Sequence, residues 1–461
     1  MTFVTKVSVP SRSRGVTYQK LLDEDSREVP AILRRESPLD DGPMSVPVER
    51  YTSPDFFQLE RDKLWDRVWQ MACREEVIPN VGDHVVYDIA GRSYIVVRSE
   101  PSVIQAFHNV CRHRGRLLRE VGGTRSSEFR CPFHGFAWEI DGSLKHVPCE
   151  WDFPQIENPA DWGLLRAQVA TWGGFVFINP DLGAASLQSH LGDLTEQFAS
   201  WPLEDRFTQA HVAKVIRCNW KVAQEAFMEA MHVVTTHPQL LASIGDANTQ
   251  YDAFENYSRA ITANGTPSPH LRWQPTEQQI LDSMYDRNLD DPPLLTVPDG
   301  ETARRVAAAS RRDNLRQVLG DRADSLSDAE VNDSFYFTVF PNFHPWGAYN
   351  RIVYRFRPHG TNVDEAIMDC MFLSPFQPGH RPPPVAVHWL DADDDWTQAP
   401  ELGSLARVFN QDTFNLPNVQ RGLKASPYEQ VNFARYEETK IRHFHRLLDE
   451  QISARSLGDS G

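Results

Sequence analysis

The chain has 461 residues, of which 41% are hydrophobic and 11% aromatic, so it can build a large core and two to three domains. Its formal net charge of −16 disfavours nucleic acid as a partner, because the phosphate backbone would repel an acidic surface. The sequence has no apolar run of membrane length, no secretory signal and no disulfide-like cysteine pattern, so we expect a soluble cytoplasmic protein with no membrane partner.

The first third of the chain changes from a polar segment to short runs with the alternating pattern of strands. Residues 1–50 are rich in Pro, Arg and Asp and predict an arm with some helix. Residues 53–69 have helical apolar spacing, which predicts a helix. Residues 75–180 hold short alternating runs divided by Gly, Pro and Asn, which predict a compact all-β domain.

The rest of the chain mixes helices with a second set of strands. Residues 185–245 return to helical spacing, and the charged stretch within 250–330 predicts solvated helix or mobile cover. Residues 334–375 alternate as antiparallel strands, 376–400 read as a loop rich in Pro and Asp, and 400–455 are helical. The expected fold class is therefore α+β.

Two short stretches of the predicted β-domain offer metal ligands. Cys111 and His113 are followed, after seventeen intervening residues, by Cys131 and His134. Each pair precedes a glycine that permits a tight turn. One alternative is a Cys₂His₂ zinc site, although zinc sites more often pair Cys with Cys and His with His. The order Cys-His, Cys-His favours a Rieske [2Fe–2S] cluster, in which thiolates hold one iron and imidazoles the other.

The flanking residues strengthen the Rieske interpretation. The stretches CRHRG (111–115) and CPFHG (131–135) together resemble the Rieske motif of non-haem iron oxygenases. That family commonly has Trp after the last glycine, whereas this chain has Phe136 there and Trp138 two residues later.

The long segment after residue 180 distinguishes an oxygenase from a short electron-carrier ferredoxin, if it holds a second metal site. His232 and His237 are five residues apart, which is about 140° on a regular helix and too wide for one metal. Pro238 disfavours helical backbone at His237, so we expect the helix to end between the two histidines. Glu229 lies three residues before His232, on the same predicted helix face.

The surrounding sequence resembles the iron-binding helix of Rieske oxygenases. The matching residues are Asn219, Trp220, Lys221, Glu225, Phe227, Glu229, His232 and His237. The chain departs from the family at Ala226, where Asn is usual, and at Met231, where Tyr is usual. Neither position supplies an iron ligand in the family.

Two histidines need a carboxylate to complete a facial triad for Fe(II). Asp412 lies eight residues before Gln420 in the segment 409–426, an arrangement that resembles the third-ligand segment of the family. The competing acids lie in a Pro- and Asp-rich stretch that predicts a solvated loop: Asp391, Asp393, Asp394, Asp395 and Glu401.

The resemblance, which covers about residues 50 to 430, implies a domain organisation. An N-terminal arm (1–50) would pack with the catalytic domain, a Rieske domain (51–182) would be inserted next, and a catalytic domain (183–461) would hold an antiparallel sheet flanked by helices. It also implies a homotrimer in which the cluster of one subunit passes electrons to the mononuclear iron of its neighbour through a bridging carboxylate. Glu229 matches that carboxylate, and glutamate rather than aspartate favours monooxygenation.

The implied activity is that of the terminal oxygenase of a multi-component system. A [2Fe–2S] cluster and a mononuclear Fe(II) would use O₂ to hydroxylate or dealkylate a hydrophobic, aromatic small molecule. The chain has no G-x-G-x-x-G motif and no P-loop, so NAD(P)H and flavin would act through a partner reductase, with or without a ferredoxin. A β subunit is compatible with the sequence.

Three alternatives stay open at this point: a ring-cis-dihydroxylating dioxygenase, a non-catalytic Rieske electron-transfer or redox-sensing protein, and a zinc-stapled binding protein. The substrate is not determined by the sequence. Candidate pocket residues are Phe227, Met231 and Phe343, with further apolar residues that are also compatible with ordinary core: Met228, Val234, Leu240, Leu241, Phe335, Phe337 and Trp346.

Overall fold

The computed structural model describes residues 17–37, 42–287, 292–377 and 379–454. The strands are β1 (Ser45–Pro47), β2 (Gln70–Arg74), β3 (His84–Ile89), β4 (Arg92–Glu100), β5 (Val103–His108), β6 (Glu128–Arg130), β7 (Ala137–Glu139), β8 (Leu144–His146), β9 (Arg166–Trp172), β10 (Phe175–Asn179), β11 (Arg206–Ile216), β12 (Ile244–Ala253), β13 (Tyr257–Asn264), β14 (Ser334–Val339), β15 (Phe343–Pro345), β16 (Ile352–His359), β17 (Asn362–Pro375), β18 (His388–Leu390) and β19 (Gln430–Asn432).

The α-helices are α1 (Tyr18–Asp23), α2 (Ala31–Arg34), α3 (Glu49–Thr52), α4 (Pro54–Glu60), α5 (Leu187–Leu191), α6 (Leu194–Gln197), α7 (Trp220–Glu225), α8 (Val233–Thr236), α9 (Glu277–Met284), α10 (Ala303–Leu319), α11 (Asp328–Asn332), α12 (Leu405–Ala425) and α13 (Thr439–Ser453). A π-helical turn, Arg61–Trp65, continues α4.

The segment from β2 to β10 folds as two antiparallel sheets. One has six strands in the order β2-β10-β9-β5-β4-β3, and the other has three in the order β6-β7-β8. The core between them is aromatic, with Phe107, Phe129 and Trp138 fully buried. This core fixes the loops that follow β5 and β6, which carry the predicted cluster ligands.

The segment from β11 onward is organised around an eight-stranded sheet in the order β12-β13-β14-β15-β16-β17-β11-β18. Its strands pair antiparallel, except that β18 runs parallel to β11. Seven of the eight residues of β16 are buried, so the centre of the sheet is covered on both faces. The helices α7 and α13 pack on this sheet. The α+β prediction is confirmed.

Residues on the N-terminal side of the β-domain join the same core as the C-terminal helix. Strand β1 pairs with β19, and Val46, Tyr51 and Phe444 belong to one buried cluster. The hydroxyl of Tyr18 donates to Asp333 at 2.9 Å, which ties α1 to the large sheet. The β-domain is therefore inserted between two parts of one larger unit; residues 1–16 and 38–41 of the predicted arm lie outside the described residues.

Two expectations from the sequence differ from the structure. The charged stretch does form a helix, α10, but only one face of it is solvated, because residues such as Arg304, which is 8% exposed and pairs with the buried Asp333, pack on the domain. The loop expected over 376–400 contains β18, which extends the large sheet. In the part of the chain that the structure describes, no helix has both the length and the apolar character needed to cross a membrane.

Candidate active site

Two loops of the β-domain have the same backbone design. Cys111 accepts a hydrogen bond from the N–H of Gly115 at 3.0 Å, and Cys131 accepts one from Gly135 at 3.0 Å. Each cysteine N–H donates five residues ahead, to Arg116 in the first loop and to Phe136 in the second. The glycines have φ values of 76° and 85°, which other residues rarely adopt. Both loops therefore turn tightly behind the predicted cluster ligands.

The four predicted ligands meet at the end of this domain. Cys111 and Cys131 are buried, and burial raises the pKa of the Cys111 thiol. The rings of His113 and His134 have centroids 4.7 Å apart. The His113 ring stacks on Phe136 at 4.8 Å, so the phenylalanine that replaces the usual tryptophan still covers the site.

One atom of this group has the property expected of a metal ligand. Nδ1 of His113 is buried and has no hydrogen-bond partner, which is costly unless a ligand occupies it. In the described part of the chain, three or more His, Cys, Asp or Glu residues bring their ligand atoms within 4.8 Å of one another at one place, and these four residues are not part of it. A single zinc ion would need them closer together, whereas a two-iron cluster separates its thiolates from its imidazoles.

The three predicted iron ligands do converge. Ligand atoms of His232, His237 and Asp412 lie within 4.8 Å of one another. Oδ1 of Asp412 is 2.6 Å from Nε2 of His237 and 3.5 Å from Nε2 of His232. Asp412 lies on α12 and is 8% exposed.

The backbone that presents the histidines differs from the expected helix. Helix α7 ends at Glu225, and the two histidines flank the single turn α8. Glu229 and His232 precede that turn, so they do not share a face of a regular helix. The predicted end of helical backbone between the histidines is confirmed, because α8 ends at Thr236 and His237 is non-helical before Pro238. The continuous helix expected to carry Glu229 and His232 is not present, because α7 already ends at Glu225.

Each histidine has a hydrogen-bond partner at Nδ1. Nδ1 of His232 lies 2.6 Å from Oε1 of Glu229, and Nδ1 of His237 lies 2.9 Å from Oε1 of Gln411. These acceptors place a ring proton at Nδ1, so Nε2, which faces Asp412 in both rings, is the atom that can bind a metal. Burial lowers the pKa of His232, but hydrogen bonds to Asp412 and Glu229 outweigh it and raise that pKa to about 10. Burial raises the pKa of Asp412, but the two histidines bring it below its ordinary value.

The competing acids lie elsewhere. Asp393 pairs with Arg217 at 2.5 Å and is 82% exposed, and Asp395 accepts from the backbone of Thr397 at 2.8 Å. Neither belongs to the converging group. Asp412 is the acid that the fold brings to the histidines.

Glu229 is bonded to His232 twice. Besides its contact with Nδ1, its Oε2 accepts the backbone N–H of His232 at 3.0 Å. Its side chain is 9% exposed and lies in the wall of the cavity beside the triad. Within one chain, the hydrogen bonds of Glu229 go to His232 alone among the described residues, with none to His113 or His134.

A cavity of about 710 Å³ opens beside the triad. Its aromatic and aliphatic wall is formed by Phe227, Leu240, Tyr336, Trp346, Ile352, Tyr354 and Phe409. Polar residues elsewhere in the lining are Ser243, Asn264, Ser283, Asp286, Asn350, Arg351 and Arg407. Phe227 therefore lies where the sequence prediction placed it, as do Leu240 and Trp346.

The other pocket predictions are corrected by the structure. Met231 is 45% exposed and does not line the cavity. Phe343 is 2% exposed and packs against Phe175 and Phe177 in the core, because it lies on the opposite side of the sheet. The remaining residues are outside the cavity lining: Met228, Val234, Leu241, Phe335 and Phe337.

Several residues of the site were missed by sequence reasoning. Gln411 precedes Asp412 directly, and that adjacency was the available signal for its contact with His237. Tyr336, Tyr354 and Phe409 come from distant segments, and no local pattern distinguishes them from core. Tyr251 supports the turn before His232 by accepting the N–H of Ala230 at 2.9 Å.

Comparisons with known proteins agree with this geometry. The chain is 31% identical over 212 residues to the anthranilate 1,2-dioxygenase large subunit of Acinetobacter baylyi, which covers 44% of this chain and 45% of that protein. It is 34% identical over 194 residues to the benzene 1,2-dioxygenase subunit alpha of Pseudomonas putida, which covers 40% and 42%. The chain thus spans less than half the length of these curated relatives.

The fold is also found in solved structures. A quaternary ammonium Rieske monooxygenase superposes with a TM-score of 0.62 and 19% identity, over 90% of this chain and 97% of that one. At this identity, the likeness is one of fold.

Two family profiles cover most of the chain. The Rieske [2Fe-2S] domain matches residues 68–157, and the ring hydroxylating alpha subunit (catalytic domain) matches residues 193–454. These domains imply a Rieske cluster and a mononuclear iron, as predicted. The chain therefore belongs to the family of ring-hydroxylating alpha subunits, the catalytic subunits of Rieske non-haem iron oxygenases.

Proposed function

We propose that this chain is the terminal oxygenase component of a multi-component Rieske system, which uses O₂ to oxidise a hydrophobic small molecule. The observation that carries the proposal is the convergence of His232, His237 and Asp412 in the wall of a cavity of about 710 Å³. Two histidines and a carboxylate form the facial triad typical of non-haem Fe(II) oxygenases, which leaves positions open for O₂.

The residues divide into two sets of ligands. Cys111, His113, Cys131 and His134 would hold the [2Fe–2S] cluster, and His232, His237 and Asp412 would hold Fe(II). Together the two centres would deliver electrons and provide the site at which O₂ is activated. Glu229 and Gln411 orient the two histidines, because each accepts a hydrogen bond from Nδ1.

The cavity wall favours an aromatic or otherwise apolar substrate. Tyr354 lies between Phe227 and Phe409, with ring centroids 5.1 and 5.9 Å away. Such rings hold an apolar body by burial and edge contacts, and they exclude water from the reacting carbon. Hydroxylation or dealkylation by monooxygenation is our first choice, and ring cis-dihydroxylation is the alternative.

Electrons would come from outside the chain, through a reductase and, in a three-component system, a ferredoxin. NAD(P)H would act only through that partner, and a β subunit is compatible with the proposal.

We also propose a homotrimer, because within one chain Glu229 makes no hydrogen bond to the cluster histidines. We place the protein in the cytoplasm, where thiols such as the buried Cys218 and Cys370 stay reduced. The domain division at residues 50 and 182 is part of the same proposal.

Turnover with ¹⁸O₂ tests the function. The purified, iron-replete chain is supplied with a surrogate reductase and ferredoxin, NADH and a panel of aromatic acids, aryl ethers, amides and terpenoids. One labelled oxygen in a hydroxylated product, or release of the alkyl group of an ether or amine as an aldehyde, would identify a monooxygenase, and two labelled oxygens would identify a dioxygenase. Reduction of the cluster with neither labelled product nor dealkylated product from any member of the panel would instead favour a non-catalytic electron carrier.

A further inference from the structure

A second large cavity lies between the two domains. It has a volume of about 790 Å³ and separates strands β2 and β3 of the Rieske domain from strands β11, β16 and β17 of the catalytic sheet. The segment 385–387 and Trp389 form its outer wall. None of its lining residues lines the cavity beside the triad, so its contents would not touch the proposed iron site.

Buried charges converge on the floor of this interdomain cavity. Oδ2 of Asp369 accepts from Nε of Arg355 at 3.0 Å and from Nε of Arg357 at 3.2 Å. Its Oδ1 lies 3.0 Å from Nε2 of His211. One buried carboxylate therefore serves two guanidinium groups and an imidazole, which leaves an excess of positive charge.

The guanidinium groups are only partly satisfied. Nη1 of Arg355 donates to the carbonyls of Met71 and Ala72, and Nη1 of Arg357 donates to the carbonyl of Asp88. The Nη2 atoms of both arginines donate to no residue that the structure describes. Both side chains line the cavity, at about 7% and 11% exposure.

The other charges at the cavity do not cancel this excess. Arg92 is paired with Asp66, and His359 is paired with Glu365. Asp88 is exposed, so its charge is screened by solvent. Arg74 lies beside Glu76, with 3.6 Å between Nε and Oε1.

The outer wall is apolar although it is open to solvent. Trp389 is 53% exposed, Leu117 is 42% exposed and Val387 is 37% exposed. The guanidinium carbon of Arg357 lies 6.0 Å from the centroid of the Trp389 ring. Exposed apolar side chains that face a buried cation match a ligand with one anionic end and one apolar body.

We propose that the interdomain cavity binds a small organic monocarboxylate, with its carboxylate at Arg357 and its apolar body against Trp389 and Val387. A planar carboxylate fits the fork of a guanidinium, and one negative charge matches the single excess positive charge. This site goes beyond the proposed function, since it contains no metal ligand. Because both domains form it, an occupant would contact both.

A competing explanation is that Arg355 and Arg357 serve only to join the domains. That explanation accounts for their bonds to Rieske-domain carbonyls, but it predicts no binding. The outer wall can be changed without touching those bonds, which makes the two explanations separable.

The experiment uses the metal-loaded full chain and octanoate as the probe. Calorimetric titration should show binding of octanoate and little binding of 1-octanol, which lacks the charge. Val387→Asp places a carboxylate in the wall and should weaken octanoate binding by about tenfold or more, while the matched Val387→Lys should not weaken it. Trp389→Ala should weaken both octanoate and longer carboxylates.

Crystals soaked in 8-bromooctanoate locate the ligand directly. The expected result is an anomalous bromine peak beside Trp389. A peak found only in the cavity beside His232, or octanoate affinities that are equal in the wild type, Val387→Asp and Val387→Lys chains, would overturn the proposal and leave Arg355 and Arg357 as structural residues.

Discussion

Asp412 is the residue on which the proposed mononuclear iron site depends most. It is the acid within reach of both histidines in the described part of the chain, and its carboxylate is nearly buried. A buried carboxylate is costly unless it is paired, so its position against two imidazoles requires either a metal ion shared with them or protons on the histidines. Its neighbour Gln411 holds the second histidine from the other side.

Removal of this carboxylate should empty one site and leave the other. Asp412→Ala should lower bound iron from about three to about two per chain, because the cluster uses separate ligands. Oxygenation should be lost, while the visible spectrum of the cluster should be unchanged. Iron analysis and absorption spectra measure both. Asp393→Ala, an exposed acid paired with Arg217, is the control and should retain full activity. Full activity in Asp412→Ala would mean that another carboxylate binds the iron.

At the scale of elements, helix α7 is anchored by a buried polar network. Lys221 pairs with Glu60 at 2.6 Å, with both side chains fully buried. Glu225, at the end of the helix, accepts from the hydroxyl of Tyr51 at 3.1 Å and lies 3.0 Å from Nε2 of His445. These contacts tie the start of the metal-binding segment to α3 and α13, on both sides of the inserted domain.

Glu225 should make stability depend on pH. Burial raises its pKa from an ordinary 4.5 to about 8, against the opposing effects of Tyr51 and Lys221. Between about pH 4.5 and 8, the folded state keeps a proton that the unfolded state releases, so stability falls as pH rises through this window. Glu225→Gln mimics the protonated form and should lose this slope. At pH 8, it should be more stable than wild type by on the order of 2–4 kcal/mol.

Chemical unfolding of both chains at pH 5.5 and pH 8 checks this. The difference in the free energy of unfolding between the two chains should grow with pH, because only wild type carries the titrating carboxyl. Loss of the metal centres affects both chains equally and therefore cancels in this difference. Glu450→Gln, which alters an exposed pair with Arg446, should follow wild type at both values. A constant difference between Glu225→Gln and wild type would show that Glu225 is already ionised in the folded protein.

The two Cys-His loops should bind their cluster as one unit. The chain expressed with ample iron should be brown and give a rhombic EPR signal when reduced, as expected for a cluster with two imidazole ligands. His113→Ala should lose that signal, because the variant lacks the imidazole that we propose as a cluster ligand, whose buried Nδ1 has no hydrogen-bond partner in the protein. His146→Ala, an exposed histidine of the same domain, is the control. A colourless protein that holds zinc would contradict the Rieske assignment.

At the scale of the whole molecule, local signals in the sequence were more informative than distant ones. The predicted ligands at 111–134 are held by two short turns, and the spacing of glycine, cysteine and histidine predicts those turns directly. The α+β class also followed from the change of periodicity along the chain. The backbone conformation between Glu225 and His237 did not follow from the sequence, because it is stabilised by contacts such as the hydrogen bond from Ala230 to Tyr251, a residue outside the motif.

The cavity wall was the least predictable feature. Strands β15 and β16 are buried on both faces, so alternation separates two sets of residues but does not say which set faces the cavity. Phe343 and Tyr354 are both aromatic, yet one is in the core and the other lines the cavity. Packing partners distant in sequence decide between them: Phe175 and Phe177 of β10 lie against Phe343, whereas Phe409 of α12 lies against Tyr354.

The relation between the two metal centres is also a property of the whole molecule. Glu229 bonds to His232 and to no cluster histidine of its own chain, while His134 and Phe133 are exposed at the tip of the Rieske domain. In a homotrimer, the tip of one subunit could reach Glu229 of the next. A carboxylate bonded to a histidine of each centre would orient both rings and provide a short path for the electron.

Glu229→Gln tests this path. Because Gln keeps an acceptor for Nδ1 of His232, both metals, the oligomeric state and chemical reduction of the cluster should be retained. Steady-state turnover should fall by orders of magnitude if Glu229 is the bridge, since the carboxylate that would link the two centres is then lost. Glu437→Gln is the matched control: that glutamate lies close enough for the charge of Glu229 to contribute to raising its pKa to about 7, but the hydrogen bonds of His232 go to Glu229 and not to Glu437. The decisive measurement is single-turnover reoxidation of the reduced cluster with substrate and O₂ present. Reoxidation as fast as in wild type, with a normal yield of product, would show that Glu229 is not the bridge; slow reoxidation in Glu229→Gln alone would assign the bridge to it.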